Sequence, residues 1–341
     1  MPAEYNVRSL EPGDVAPAAE FMAARQCLLR ETVPMLPARF ERPEVCADVI
    51  RETMGFADGF AAERDGNLVG FLQAIKNLPD PTSGGARYSP ERGSMMLAHG
   101  HSVAPGEPQY PVYNALFAAL ADQYRERGIF DHIAHVPCGD PELLEAWANL
   151  GFGRSTAFAA RDTSRIVTAT SADTRQATPA DLEEVYRIAC SGSAYHSEPP
   201  IFNPYLERQA EEDVRAQLRK GLADEAEAMF LGFVGGRPAG LLWIHAPFGS
   251  PVLVPDDACY IGDTAVLPEA RGSGVGSACL QAALTWARSR DYKNVVLHFS
   301  TANPLSTAFW TGHGFEPLMY QVRRHIDERV AWARPEFEIT R

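Results

Sequence analysis

The alternation of apolar and polar residues is sharpest in the second half of the chain. There MFLGFVGGRPAGLLWIH sets two apolar runs around Gly235-Gly236, the pattern of two strands joined by a tight hairpin turn. Thr178, Pro179 and Asp181 mark a helix start, with a capping hydroxyl, a proline in the first turn and an acid three positions after the cap. A short strand is expected before it over 174–177, and a second helix after it over 207–223. Further on, a strand over 258–267 leads through Pro268 and a glycine-rich turn into a helix over 275–290. In that helix Val275, Ala278, Cys279, Ala282, Ala283 and Trp286 recur at helical spacing. VVLHFS reads as a buried strand, 304–312 as a short helix and 319–326 as a closing strand. The order β-α-α-β-β-β-α-β-α-β predicts an α/β (α+β) fold, a mixed sheet covered by helices.

The first half repeats this pattern. Displacing the sequence by 163 residues brings Val103 onto Val266, Pro105 onto Pro268, His135 onto His298, Pro141 onto Pro304, Trp147 onto Trp310 and Gly151-Phe152 onto Gly314-Phe315, without a gap for about fifty residues. Arg8, Pro12 and Asp14 recur as Arg175, Pro179 and Asp181 at a slightly larger offset. Agreement at Gly, Pro and Trp does not follow from an alanine-rich composition. Two tandem copies of one fold are therefore expected, 1–165 and 174–341, joined through the small polar stretch TSRIVTATSADT. A length of 341 residues agrees, at roughly 150 residues per domain.

Composition narrows the choice of partner. With 45% apolar and 22% charged residues the chain is an ordinary globular one, and its net charge of −13 opposes both a nucleic-acid backbone and an anionic membrane surface. The N-terminus has no basic segment followed by an apolar run, and no stretch reaches the roughly 18 apolar residues of a membrane span, so a cytoplasmic protein is expected. Cys27, Cys46, Cys138, Cys190, Cys259 and Cys279 are widely spaced with no CxxC pair and read as reduced thiols. His99 and His101 share a strand face, with His132 and His135 on the next strand, too few convergent ligands for zinc. No metal is expected.

The richest chemistry lies in Arg271-Gly272-Ser273-Gly274-Val275-Gly276, between a strand and a helix. Glycines let successive N–H groups turn the same way, and the helix start adds its positive dipole end, which together suit a pyrophosphate. A Walker loop would need a lysine that is absent. A Rossmann fingerprint would need a last glycine where Ala278 stands, and Asp291 precedes the following strand instead of ending it.

Taken in order, Arg-x-x-Gly-x-Gly after a strand ending Val-x-Pro, an amphipathic helix, a strand, Asn303 and a terminal Gly-Phe resemble the acyl-CoA site of the GNAT superfamily of N-acyltransferases. The resemblance runs from YIGDTAVLPEARGSGVG through ANPLSTAFWTGHGF. With the repeat, it extends to a tandem GNAT arrangement similar to mycothiol synthase and to tandem acetyltransferases of antibiotic-type biosynthetic clusters, hence to secondary metabolism. It implies transfer of an acetyl or other short acyl group from acetyl-CoA, or another acyl-CoA, to the amine of a small molecule in the second copy. It further implies that N–H groups from Arg271 through Gly272, Ser273, Gly274, Val275, Gly276 and Ser277 hold the CoA pyrophosphate. Ala265, Val266 and Leu267 would pair with the pantetheine arm and polarise the thioester carbonyl, and Asn303 would contact that arm.

Of the proton carriers, Asp263 is placed like the strand acid that serves as base in some relatives. Where many relatives carry a tyrosine as thiolate donor, this chain has Trp310, which lacks a transferable phenolic proton, leaving Ser306 or a water. Trp310 and His298 coincide with Trp147 and His135 of the first copy and are read as packing. The first copy reads Pro108-Gln109-Tyr110-Pro111-Val112-Tyr113 at the cradle, with no glycine and two prolines that lack N–H groups, so poor CoA binding is expected there. The resemblance nonetheless leaves room for a second, structural CoA in the N-terminal domain. The acceptor would meet SGSAYHSEPPIFNPYLERQ, with Tyr195, His196, Glu198 and Tyr205 as candidate lining residues. A non-catalytic acyl-CoA-binding or sensing protein and a protein N-acetyltransferase are the alternatives, and the chain is expected to act as a monomer or homodimer.

Overall fold

The computed structural model describes residues 5–78, 90, 92–165, 171–203, 209–247 and 249–331. The first half runs β1 (Asn6–Ser9), α1 (Val15–Thr32), α2 (Pro43–Met54), β2 (Asp58–Arg64), β3 (Asn67–Asn77), β4 (Gly93–Met96), β5 (His101–Val103), α3 (Gln109–Glu126), β6 (Asp131–Pro137), α4 (Pro141–Asn149) and β7 (Gly153–Asp162). The second runs β8 (Asp173–Gln176), α5 (Leu182–Ser197), α6 (Gln209–Ala223), β9 (Ala228–Val234), β10 (Arg237–His245), β11 (Ala258–Val266), α7 (Val275–Ser289), β12 (Asn294–Ser300), α8 (Pro304–Gly312) and β13 (Glu316–His325). The repeat survives in space: β12, α8 and β13 each begin 163 residues after β6, α4 and β7.

Local chemistry explains the starts and turns. Gly235 and Gly236 take φ of +56° and +74°, the two left-handed residues that a tight hairpin needs between β9 and β10. The repeated Arg-Pro-Asp pattern is a clasp. Arg8 donates to both carboxylate oxygens of Asp14 at 2.6 and 2.7 Å, and Asp14 accepts the Glu11 N–H at 2.8 Å, tying the end of β1 to the start of α1. Arg175, Asp181 and Thr178 repeat these bonds at 2.8, 2.7 and 2.8 Å. The arginine beside each aspartate holds its carboxyl below the usual carboxylate range.

The strands form one sheet in the order β1-β2-β3-β4-β6-β13-β7-β12-β11-β10-β9-β8, with β5 beside β3. In the first half α1 and α2 cover one face and α3 and α4 the other; α5 with α6 and α7 with α8 do the same in the second. The closing strand begins three residues earlier than the sequence pattern suggests and does not close its own half. β13 pairs antiparallel with β6 and β7, and β7 pairs antiparallel with β12, so the two copies have exchanged their last strands. Arg323 of β13 grips Asp131 of β6 through two bonds of 2.5 and 2.7 Å, and the buried Arg161 of β7 donates to the His313 carbonyl beyond α8. Alternation of apolar positions fixes that a strand exists but not which edge receives it, so the exchange was not legible in the pattern.

Candidate active site

The site begins where two parallel strands part. β11 and β12 pair from Ala258↔Asn294 to Ile261↔Leu297 and no further. Just beyond, β11 carries a bulge: against β10, Ile261 lies opposite Ile244 and Thr264 opposite Leu242, so Gly262 and Asp263 face the single residue Trp243. Residues 264–266 rejoin β10 through Thr264, Ala265 and Val266, leaving their other edge unpaired and turned toward the gap. An extended ligand arm can add to such an edge as a strand does. Two hydroxyls, Thr264 Oγ1 on the unpaired part of β11 and Thr307 Oγ1 on α8, are buried with no hydrogen-bond partner among the described residues. Buried orphans of this kind suit a polar ligand that is amide-rich.

The cradle lies at the foot of this edge. Gly272 and Gly274 have φ of +78° and +86°, a region that side chains with a Cβ seldom adopt, and Gly274 caps α7. Among the described residues no hydrogen bond engages the N–H groups of Gly272, Gly274, Val275, Gly276 or Ser277, whereas those of Arg271 and Ser273 are turned back to the carbonyls of Pro268 and Ala270, both at 3.3 Å. Five donors and a helix dipole therefore converge where seven were expected, still a fit to a pyrophosphate. A Cβ on Gly276 would lie 3.4 Å from both Val266 and Phe309, so the loop, the strand and α8 are already in contact. The Arg271 guanidinium rests 4.6 Å from the Tyr195 ring of α5, which joins the cradle to the opposite face.

The same place in the first copy is filled. α3 starts at Gln109, the position matching Gly272, so one more turn of helix replaces the loop. Its first N–H is met by the Glu142 carboxylate at 3.3 Å, and the Gln109 side chain donates to Asp140 at 2.9 Å, placing two acids where a pyrophosphate would need to sit. Tyr113 occupies the position of Gly276, and its hydroxyl pairs with His101 Nδ1 at 2.8 Å; His101 Nε2 in turn donates to the His135 carbonyl at 3.0 Å, bridging β5 to β6. Burial lowers the pKa of His101 to about 3 and that of His135 to about 4. His99 does not share a strand face with His101 as expected: it lies in the turn before β5 and pairs with Ser250 at 2.9 Å.

The remaining candidates are distributed around the gap. Asp263 is exposed at the bulge. Asn303 is buried, and its side-chain oxygen caps α8 by accepting the N–H groups of Leu305 and Ser306, both at 3.1 Å, so only its NH₂ group remains for a ligand carbonyl. Ser306 is half-buried, its hydroxyl 3.4 Å from the Asn303 carbonyl. Ser277 is tied to α8 through His313 at 3.0 Å. Leu267 is buried and donates to the Ala239 carbonyl at 2.9 Å. Trp310 is buried edge-on to Phe309 and Phe315, which makes it a packing residue. Tyr195 and His196 are half-buried at the end of α5, Glu198 is exposed, and Tyr205 lies outside the described residues.

His298 departs from the sequence reading. It is the first residue of β12 past the segment paired with β11, and it is exposed where His135 is buried. Its Nδ1 is hydrogen-bonded to the hydroxyl of the buried Tyr260 on β11. The repeat concealed it, since pairing His298 with His135 suggested a shared structural role.

Comparison with known proteins agrees with this geometry. The model of the acetyltransferase (GNAT) family matches residues 193–315. A GCN5-related N-acetyltransferase from Sphaerobacter thermophilus has a similar structure, with a TM-score of 0.58 and 16% identity over 95% of this chain and 96% of its own. The GCN5-related glucosamine N-acetyltransferase region of a fungal multi-domain GH3 β-N-acetylglucosaminidase gives a TM-score of 0.52 at 13% identity, over 95% of this chain and 38% of that one. A tandem GNAT protein from the clavulanic acid biosynthesis pathway is 20% identical over 94% of this chain and 97% of its own, with a TM-score of 0.48. No curated protein sequence matches significantly. Residues 193–315 thus match the acetyltransferase (GNAT) family model, and the chain as a whole has the fold of the GCN5-related N-acetyltransferase structures, with that fold present in two copies.

Proposed function

We propose that this protein moves an acetyl or other short acyl group from acyl-CoA to the amine of a small molecule, using the second copy alone. The observation that carries this reading is the unpaired edge of β11 ending beside five unengaged N–H groups at the start of α7. Such an edge can hold the pantetheine arm, and the N–H groups can hold the pyrophosphate, with the thioester brought to the point where β11 and β12 part. Asp263, exposed at the bulge, is a carboxylate for the incoming ammonium, and Ser306 a hydroxyl for the leaving thiolate. The helical turn, the two acids and Tyr113 argue against a second CoA in the first copy.

Native mass spectrometry with acetyl-CoA tests the binding, and thiol release with a panel of primary amines tests the transfer. One CoA-sized increment per chain, lost on replacing Gly274 by Trp, is expected. No increment refutes the reading. A second increment that survives the Gly274 replacement refutes the closure of the first copy, and binding without thiol release from any amine leaves a sensor instead of an enzyme.

A further inference from the structure

Four aromatic side chains from four neighbouring strands form a continuous row. His245 of β10, Tyr260 of β11, His298 of β12 and Phe158 of β7 follow one another with ring centroids 5.2, 5.9 and 5.5 Å apart. Cross-strand pairing sets this order, since His245 lies opposite Tyr260 and His298 opposite Phe158. Tyr260 is buried and His298 exposed, so the row presents one imidazole to the cleft and anchors it from below. Its position matters as much as its exposure. Ile261 and Leu297 are the last paired residues of the two strands, and the next residue on β12 is His298, at the apex of the gap.

We infer that His298 is a catalytic base of this site, taking the proton of the attacking amine on Nε2 while Tyr260 orients the ring through Nδ1. This rests on the acyl-transfer reading above and deepens it. With the Nδ1 proton donated to the Tyr260 oxygen, Nε2 carries the lone pair, the arrangement by which a third group fixes the tautomer of a catalytic imidazole. The amine nitrogen forms a bond to the acyl carbon, and the carbon–sulfur bond breaks with its electron pair going to sulfur. The amine's proton passes to Nε2, and the imidazolium then gives a proton to the CoA thiolate, so that amine and thioester become amide and thiol with His298 neutral again. Asp263, on the other side of the gap, supplies the negative charge that draws an ammonium in, which releases one proton to solvent before the free amine attacks.

Among the described residues, the groups facing His298 are His196 from α5, His245 from β10 and Tyr260 from β11, with Phe158 from β7. The protein packed around the ring desolvates it although its edge reaches the surface, and this, together with the charges that His196 and His245 can carry, pushes its pKa down.

The test compares the full-length chain with His298→Gln, Tyr260→Phe and Asp263→Asn, using acetyl-CoA and the amine of the panel that releases thiol fastest. His298→Gln is expected to lower kcat by about 100-fold or more, with KM for acetyl-CoA and the CoA mass increment unchanged, and to abolish the acid limb of the kcat/KM–pH profile. Tyr260→Phe is expected to retain that limb but move it, and Asp263→Asn to raise KM for the amine with a smaller effect on kcat. A His298→Gln chain within threefold of the parent in kcat, or an acid limb that disappears in Asp263→Asn and persists in His298→Gln, overturns the assignment. Loss of the CoA increment in the unaltered chain, or no thiol release from it, refutes the acyl-transfer reading itself and this assignment with it.

Discussion

Gly272 offers the cleanest perturbation of the cradle. Its φ is +78°, yet a Cβ built there meets nothing within 4 Å, so Gly272→Ala adds backbone strain and no clash. An L-residue in this left-handed region costs about 1–2 kcal/mol for Ala, less for Asn, whose side chain tolerates it, and more for β-branched Val. If the loop keeps its shape without ligand, that cost lowers the stability of the folded chain, by about 2–5 °C in melting temperature. If the loop relaxes without ligand, the same cost reappears on binding, as roughly a 5- to 30-fold weaker affinity for acetyl-CoA. Either way the two losses together should equal the strain, and they should rise in the order Asn, Ala, Val. Thermal denaturation and calorimetric titration of the three variants, each with and without acetyl-CoA, measure both. Gly13→Ala is the control, since Gly13 has an ordinary φ and an equally empty Cβ position. If Gly272→Val melts at the parent temperature and binds acetyl-CoA at the parent affinity, the loop does not hold the nucleotide and the argument fails.

Two further outcomes concern the fold. Burial in the first half pushes His99, His132 and His135 down to about 4 and His101 to about 3, below the value of about 6.5 they regain on unfolding. Below pH 6.5 the unfolded chain therefore binds more protons. Stability should be full above that pH and fall by about 1.4 kcal/mol per histidine per pH unit down to about pH 4; urea melts at pH 7, 6 and 5 would show it, and a flat profile would contradict it. Arg323→Ala removes the two bonds to Asp131, whose side chain is 12% exposed, at the exchanged strands; with Arg323 itself 49% exposed the loss should be about 1–2 kcal/mol by urea denaturation, and no loss would mean that solvent replaces the pair.

Much of the second copy was legible because its chemistry is local. A hairpin glycine pair, a capping aspartate and a glycine-rich turn each act within a few residues, and each stands where the pattern placed it. The repeat was legible for the same reason, since Pro141 and Pro304 both open short helices capped by the preceding Asp140 and Asn303. What escaped depends on contacts between distant residues. Thr264 and Thr307 are buried orphans only in the folded chain, and His298 is exposed where His135 is buried although each follows the last residue paired with the neighbouring parallel strand, a difference set by what surrounds each ring. Identity at aligned positions of a repeat says that the backbones agree; it does not say that the surroundings do.

The strand exchange gives the first copy a physical hold on the second that its lost cradle would not suggest. β7 covers the edge of β12 from Asn294 to Ser300, and its Phe158 stacks on the His298 ring, so the first half supplies a side chain beside that histidine. In return the segment joining β10 to β11 docks on the first half: Gln26 donates to the Val252 carbonyl at 3.1 Å, and His99 pairs with Ser250. In the first copy Tyr113 and His101 close the corresponding gap with a buried bridge. Beside β12 the gap stays open, leaving residues 264–266 with one unpaired edge. The two copies thus differ in opposite senses at one position, Gly276 in the second and the buried Tyr113 in the first.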